Sequence, residues 1–345
     1  MTRFRSVLWC LGAAVVSPCV SMAQHGSDSA RIARAYAAPD PRIWTADDLL
    51  LSQDARSFRV SPDGRSVAWI QTAMSTVAGR VTSNIYLAPT HGGQVLQLTR
   101  GEYSVSNLRW SPDGTRIAFL SSRPLPRGSD ENAASTQLWI MDMRGGEPWP
   151  VTKRESSIDD YVWKGRDTVL FIGAEEPSAY ERSARERKDD SRVIDDSLHE
   201  PPVRLFALSI ATQQIHQLTS NTDWIQDFGV SPDGESVATV HERSLSEGYD
   251  QRIPSITRLT NLATGASRLI FDGARTIPSD IAWASDGAGF YFTNDSTTSA
   301  RYRTATIAEL DYYDVATGTI VPVDRTWTRG VAGSLVMMTR TMGVV

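Results

Sequence analysis

The chain holds two cysteines, Cys10 and Cys19, both within its first twenty positions. Beyond them there is none. A chain cleaved after position 23 therefore has no disulfide, no iron–sulfur cluster, no cysteine-bound zinc and no cysteine nucleophile. Histidine is sparse as well: His25, His91, His199, His216 and His241 are scattered, with no His-x-x-x-His or His-Glu-x-x-His spacing. That gives zinc catalysis no support. There is no phosphate-cradling glycine loop, so no cofactor is expected. Nor is there a basic cluster. The formal net charge of −5 gives no electrostatic reason to expect nucleic acid.

Long apolar runs are missing too. Val7 to Val16 is about half the roughly twenty residues that a membrane-spanning helix needs. It follows Arg3 and Arg5 and precedes Ser21-Met22-Ala23, an A-x-A-like cleavage site. Residues 1–23 thus read as a signal peptide with Gln24 as the mature N-terminus. This predicts an exported bacterial protein, periplasmic or secreted, with no membrane association after cleavage. No lipidation box surrounds either cysteine.

What the chain has in quantity is a turn. Trp110-Ser111-Pro112-Asp113-Gly114 has close copies at Val60-Ser61-Pro62-Asp63-Gly64 and Val230-Ser231-Pro232-Asp233-Gly234. Trp283-Ala284-Ser285-Asp286-Gly287 is a looser copy and Trp163-Lys164-Gly165-Arg166-Asp167 a degenerate one. Proline presets φ at the first turn position, aspartate tolerates the second, and glycine accepts a positive φ at the exit. Alternating flanks such as Ile117-Ala118-Phe119-Leu120 make each turn a hairpin between antiparallel strands.

Each repeat of about fifty residues contains four short apolar stretches. In the first these are Phe58 to Val60, Val67 to Ile70, Ile85 to Leu87 and Val95 to Thr99. Four strands per period of this length predict an all-β propeller of four-stranded blades over residues 57–324, with five blades recognisable. Residues 24–56 read as a leader ending in a short helix, in which Thr45 caps and Asp48 closes a capping box. The long interval from position 163 to position 230 reflects an insertion at 175–202. Its alternating charges around Glu181-Arg182 and Arg185-Glu186-Arg187-Lys188 suit a short solvated helix. Residues 325–345 break the pattern and read as an irregular tail, the mark of a truncation.

The chemistry that a sequence can show is thin. A serine nucleophile elbow needs G-x-S-x-G. Gly64-Arg65-Ser66, Gly234-Glu235-Ser236 and Gly265-Ala266-Ser267 all lack the second glycine and fall on blade turns. Asp159-Asp160 and Asp195-Asp196 lack the alternate-position pattern of a calcium loop. No metal site and no catalytic residue is assigned. A sugar-active propeller enzyme would need carboxylates clustered in the funnel.

One resemblance gathers these features. Trp44-Thr45-Ala46-Asp47-Asp48-Leu49-Leu50 leading into Val60-Ser61-Pro62-Asp63-Gly64 resembles the start of the prolyl oligopeptidase family of serine peptidases. Within that family it looks most like the bacterial acylaminoacyl-peptidase and dipeptidyl-peptidase branch. Ala184 to Asp190, with Val193, Asp195-Asp196 and Arg204-Leu205-Phe206, is similar to that branch's central insertion. The similarity covers about residues 43–324. It implies a two-domain enzyme in which a propeller of seven or eight blades admits short peptides to an α/β-hydrolase. The hydrolase motifs are absent here, so no triad residue is carried over, and the blades are expected to be silent alone. The family's amine-holding glutamate pair makes Glu175 and Glu176 the substrate-binding candidates. Five blades of a larger ring would leave open edges. A protein partner at the funnel or at those edges is the rival expectation, as in a TolB-like periplasmic binding module.

Overall fold

The Ser-Pro-Asp-Gly turns form as their residues require. In a computed structural model the described residues are 45, 48, 51–75, 79–125, 135–187, 199–246, 253–271, 278–296, 306–323 and 330–331. In three of the turns the serine is locked into the same knot. Ser111 Oγ donates to Asp113 Oδ1 (2.7 Å) and accepts from the Arg116 amide (2.9 Å). Ser61 and Ser231 repeat the pattern with Asp63 and Asp233. The Ser111 hydroxyl, helped by the Thr115 amide and hydroxyl and by Arg166, holds the Asp113 carboxyl down at about 2. These serines and aspartates are turn fasteners, as expected of residues whose short polar side chains bond nearby backbone.

Each turn joins the first two strands of a four-stranded antiparallel meander. Blade 1 comprises β1 (Gln53–Val60), β2 (Ser66–Ser75), β3 (Arg80–Pro89) and β4 (Leu96–Gln97). Blade 2 comprises β5 (Val105–Trp110), β6 (Arg116–Ser121), β7 (Gln137–Asp142) and β8 (Trp149–Pro150). Blade 3 is built of β9 (Ile158–Trp163), β10 (Thr168–Ala174), β11 (Val203–Ser209) and β12 (Ile215–Gln217). Blade 4 is built of β13 (Trp224–Val230), β14 (Ser236–Glu242), β15 (Ile256–Asn261) and β16 (Ser267–Ile270). Blade 5 has β17 (Pro278–Trp283), β18 (Gly289–Ser296), β19 (Ile307–Asp314) and β20 (Ile320–Pro322). The five expected blades are present. The first strand of blade 1 begins at Gln53, earlier than the boundary expected at 57, because Gln53 to Arg56 pair with Ala73 to Ile70.

Strand alternation sends successive side chains to opposite neighbours. Ile117 and Phe119 pack toward blade 1 against Ala68, Ile70 and Ile85, whereas Ala118 and Leu120 pack toward blade 3 against Tyr161, Phe171 and Phe206. Leu170, Ile172 and Leu205 meet Ile225, Phe228 and Val237 between blades 3 and 4. Ala238, Leu259 and Ile270 meet Phe290, Phe292 and Tyr313 between blades 4 and 5. Each large aliphatic or phenylalanine side chain among these contributes about 1.5–3 kcal/mol on burial, so the four seams hold the blades in sequence. The turns lean on one another in the same order: a Cβ at Gly114 would lie 3.3 Å from Pro62, and one at Gly287 would lie 3.9 Å from Pro232. At Gly64, in the first turn, nothing lies within 4 Å among the described residues. The outer face of blade 1 instead shows a stacked stripe, Phe58–Trp69–Tyr86, with ring centroids 6.0 and 5.8 Å apart and Phe58 55% exposed.

The insertion contains α1 (Ala179–Glu186), the short helix expected from its charges. Ser178 caps it: the Glu181 amide reaches Ser178 Oγ (3.3 Å), while Glu181 Oε2 accepts from the Ser178 amide (2.5 Å). Before the blades, Thr45 and Asp48 make the expected capping box, with the Thr45 amide donating to Asp48 Oδ2 (2.7 Å) and the Asp48 amide to Thr45 Oγ1 (3.1 Å). The expected signal peptide, leader and tail lie outside the described residues, apart from Thr45, Asp48, Gly330 and Val331 and the residues from Leu51 onward, as do Asp195 and Asp196.

Candidate functional site in the central funnel

Every innermost strand carries a bulge at the same place. Pairing with the second strand slips between Arg56 and Arg59, between Ser106 and Arg109, between Ile225 and Asp227, and between Ser279 and Ala282. In blade 3 the slip separates the partners Asp160 and Ile158. A bulge re-aims a side chain that would otherwise lie in the ladder. Here the residue four places before each turn's first hydrogen-bonded position is affected: Ser57, Asn107, Asp160, Asp227 and Asp280. Ser57, Asn107 and Asp280 adopt left-handed φ angles of 57°, 50° and 54°, a conformation that asparagine and aspartate reach most readily.

These five side chains line one cavity of about 530 Å³ at the hub, together with Arg59, Arg109, Val162, Gly229, Ile281 and Trp283. Its charge is divided. Two guanidiniums come from blades 1 and 2, and three carboxylates come from blades 3, 4 and 5. Where the two halves meet, Arg109 Nη2 lies 3.0 Å from both oxygens of Asp160. Asn107 Nδ2 donates to the same carboxylate at 3.0 Å, and the Arg109 guanidinium rests 5.5 Å from the Tyr161 ring centroid. The hub is tied between blades by the Tyr161 hydroxyl on the Asn107 carbonyl (2.6 Å) and by Trp110 Nε1 on the Arg59 carbonyl (2.9 Å).

The remaining charges are not matched in this way. Arg59 donates to the Phe58 carbonyl (3.0 Å) and has no acidic partner among the described residues. Burial of Arg59, with Arg109 nearby, makes its cation less favourable than usual. Asp227 Oδ1 accepts from the Phe228 amide (2.7 Å), but Oδ2 is buried without a hydrogen bond among the described residues. Burial, with Asp160 and Asp280 adding repulsion, pushes the Asp227 carboxyl up to about 6. A perturbed carboxyl in a cleft is a mark of a functional site. Among the described residues no group of three or more His, Cys, Asp or Glu could hold a metal ion. Funnel carboxylates are present but do not gather as such a centre would need.

Glu175 and Glu176, the substrate-binding candidates expected from the sequence, fall elsewhere in the molecule, on the side of the insertion. Glu175 pairs with Arg204, and Glu176 Oε1 accepts from Arg154 Nε at 2.7 Å. Glu176 Oε2 also accepts from the Glu155 and Ser156 amides (3.0 and 3.3 Å). Both carboxylates therefore fasten the insertion to blade 3 and do not line the funnel. The five hub residues carry no motif that marks them in the sequence, although stacking the repeats on their turns shows a polar column four places upstream. One further arrangement has the outline of a catalytic triad: His241 Nδ1 lies 2.7 Å from Asp223 Oδ1, and His241 Nε2 lies 2.8 Å from Thr239 Oγ1. Thr239 and His241 are 1% and 2% exposed, sealed between blades 3 and 4. No substrate reaches them. The network is structural.

No family model matches the chain. Two curated relatives do. It is 24% identical over 226 residues to a protein of Bacillus subtilis (strain 168) named "Uncharacterized peptidase YuxL", covering 62% of this chain and 33% of the relative. It is 23% identical over 270 residues to dipeptidyl-peptidase 5 of Porphyromonas endodontalis, covering 71% of this chain and 37% of the relative. The matches thus span about a third of the length of either relative. Among solved structures, an acylaminoacyl peptidase in complex with Z-Gly-Gly-Phe-chloromethyl ketone superposes with a TM-score of 0.55 at 15% identity, over 81% of this chain and 41% of that one. By fold the chain is a β-propeller, and by sequence it is similar to two proteins named as peptidases.

Proposed function

We propose that this propeller is the substrate-admitting element of an exported serine-peptidase-type protein acting on short peptides, and that the blades bind without cleaving. The polar hub cavity carries this reading. It is large enough for a few peptide residues, since pockets of about 300–1,000 Å³ enclose drug-sized ligands, and it is lined by two guanidiniums and three carboxylates that a peptide's polar groups could meet. The relatives' names agree with it. In the described blades the turn serines are tied to their aspartates, and Thr239 is sealed.

A direct test incubates the full chain with dipeptidyl and acylaminoacyl chromogenic substrates and, separately, measures peptide binding. Binding with no turnover is the expected result. Turnover abolished by replacing a serine of the blades would overturn the claim that they only bind. A folded domain that ignores peptides but retains one protein from a periplasmic extract would favour the rival, a non-enzymatic binding module of the TolB kind.

A further inference from the structure

We propose that the hub selects peptides by their two terminal charges, seating the free α-ammonium against Asp280 and Asp227 and the α-carboxylate against Arg59. This rests on the peptide-admitting reading above and specifies what is admitted.

Charge within the cavity is compensated unevenly. Arg109 and Asp160 satisfy each other at 3.0 Å, and Asn107 completes the carboxylate. What is left without an ion-pair partner among the described residues is one cation on blade 1 and two carboxylates on blades 4 and 5, all lining the same space. A neutral ligand leaves both ends unmatched in a partly desolvated hub, where unmatched charge is costly. A dianion would have to lie against Asp227 and Asp280, and a dication against Arg59 and Arg109. A ligand with opposite charges at its two ends satisfies both sides at once. The smallest such ligands in the class already inferred are unblocked di- and tripeptides.

The preparation of the individual side chains agrees. Asp280 is exposed to the cavity and held in a left-handed conformation by its bulge. Thr293 Oγ1 approaches it at 3.5 Å, a distance that leaves its oxygens open to a stronger donor. Arg59 uses one donor on its neighbour's carbonyl and keeps the rest of its fork, a shape suited to a carboxylate. Burial and neighbouring carboxylates keep Asp227 reluctant to ionise. An ammonium beside it would reverse that, so binding near pH 6 should release a proton.

The experiment is calorimetric titration of the full chain at pH 7.5 with trialanine, N-acetyl-trialanine, trialanine amide and the doubly blocked peptide. Free trialanine is expected to bind, with acetylation and amidation each weakening it at least tenfold. Asp280→Asn should reproduce the loss caused by acetylation and leave the acetylated peptide unaffected. Arg59→Gln should do the same for amidation. Both side chains make few contacts, and a thermal melt by circular dichroism confirms that each variant is folded. Equal binding of free and doubly blocked peptide overturns charge selection while leaving peptide admission standing. Binding of neither overturns both.

Discussion

Arg109 and Asp160 face each other across the boundary between blades 2 and 3, one guanidinium nitrogen 3.0 Å from each carboxylate oxygen. Their side chains are 33% and 28% exposed. Each residue lies on a different innermost strand, so the pair binds two blades at the hub. Arg109→Gln leaves Asp160 beside Asp227 with the Asn107 side chain and the Tyr161 amide for support. It should cost about 1–2 kcal/mol in urea denaturation. An unchanged urea midpoint would show that the pair is incidental.

Asp227 gives the fold a signature in pH. Burial, then Asp160 and Asp280, lift its carboxyl from 3.8 to about 6. Arg59 and Arg109 face the same cavity and do not offset this. The folded protein therefore holds this proton more tightly than the unfolded chain does. The resulting stabilisation is fully present below about pH 4 and is lost as the pH rises through 6, a change of about 3 kcal/mol. Urea midpoints at pH 5 and pH 7.5 should show the decline, and Asp227→Asn should flatten it. A wild-type midpoint that does not fall over this interval would contradict the assignment.

Arg154 and Glu176 should respond unequally to mutation. The Arg154 side chain is 6% exposed and that of Glu176 42%. Arg154 lies over the Phe206 ring at 4.6 Å and over Phe171 at 5.5 Å. Glu176→Ala strands a buried guanidinium and should cost about 3 kcal/mol. Arg154→Met keeps the packing, leaves a carboxylate that water can reach, and should cost about half as much. Equal losses in chemical denaturation would show that burial is not what separates the two.

The sealed His241 network yields a control for function. Thr239→Val removes the partner of His241 Nε2 in a site that water does not enter. It should cost about 1–3 kcal/mol, read as a lower melting temperature. Peptide binding at the hub, measured below that temperature, should not change. Loss of binding in a variant that melts normally would mean that this threonine acts in the site after all.

The architecture was legible in the sequence because its signals are local. Pro112, Asp113 and Gly114 specify a turn by their own backbone preferences, and four further copies multiply that signal into a blade count. Thr45 and Asp48 announced their capping box in the same way, and the charges of the insertion announced α1. The hub was not legible. Asp160, Asp227 and Asp280 lie far apart in the chain and converge only when the blades are set side by side round a common cavity. Nothing in their neighbours' propensities marks a bulge. Glu175 and Glu176 were conspicuous for the opposite reason: an adjacent acidic pair stands out in sequence, while the arginines that pair with it, Arg154 and Arg204, stand apart from it in the chain.

The recurring bulge separates scaffold from specificity. The direction of each hub side chain is set by a backbone irregularity, whereas the stability of each blade resides in the seams beyond it. Of the five positions, Ser57, Asp227 and Asp280 can therefore be rewritten with the strand pairing and the inter-blade packing left in place, whereas Asn107 and Asp160 also tie blade 2 to blade 3. On the reading proposed above, exchanging acids for amides there would turn one propeller into a series of filters that differ in which ends of a chain they accept.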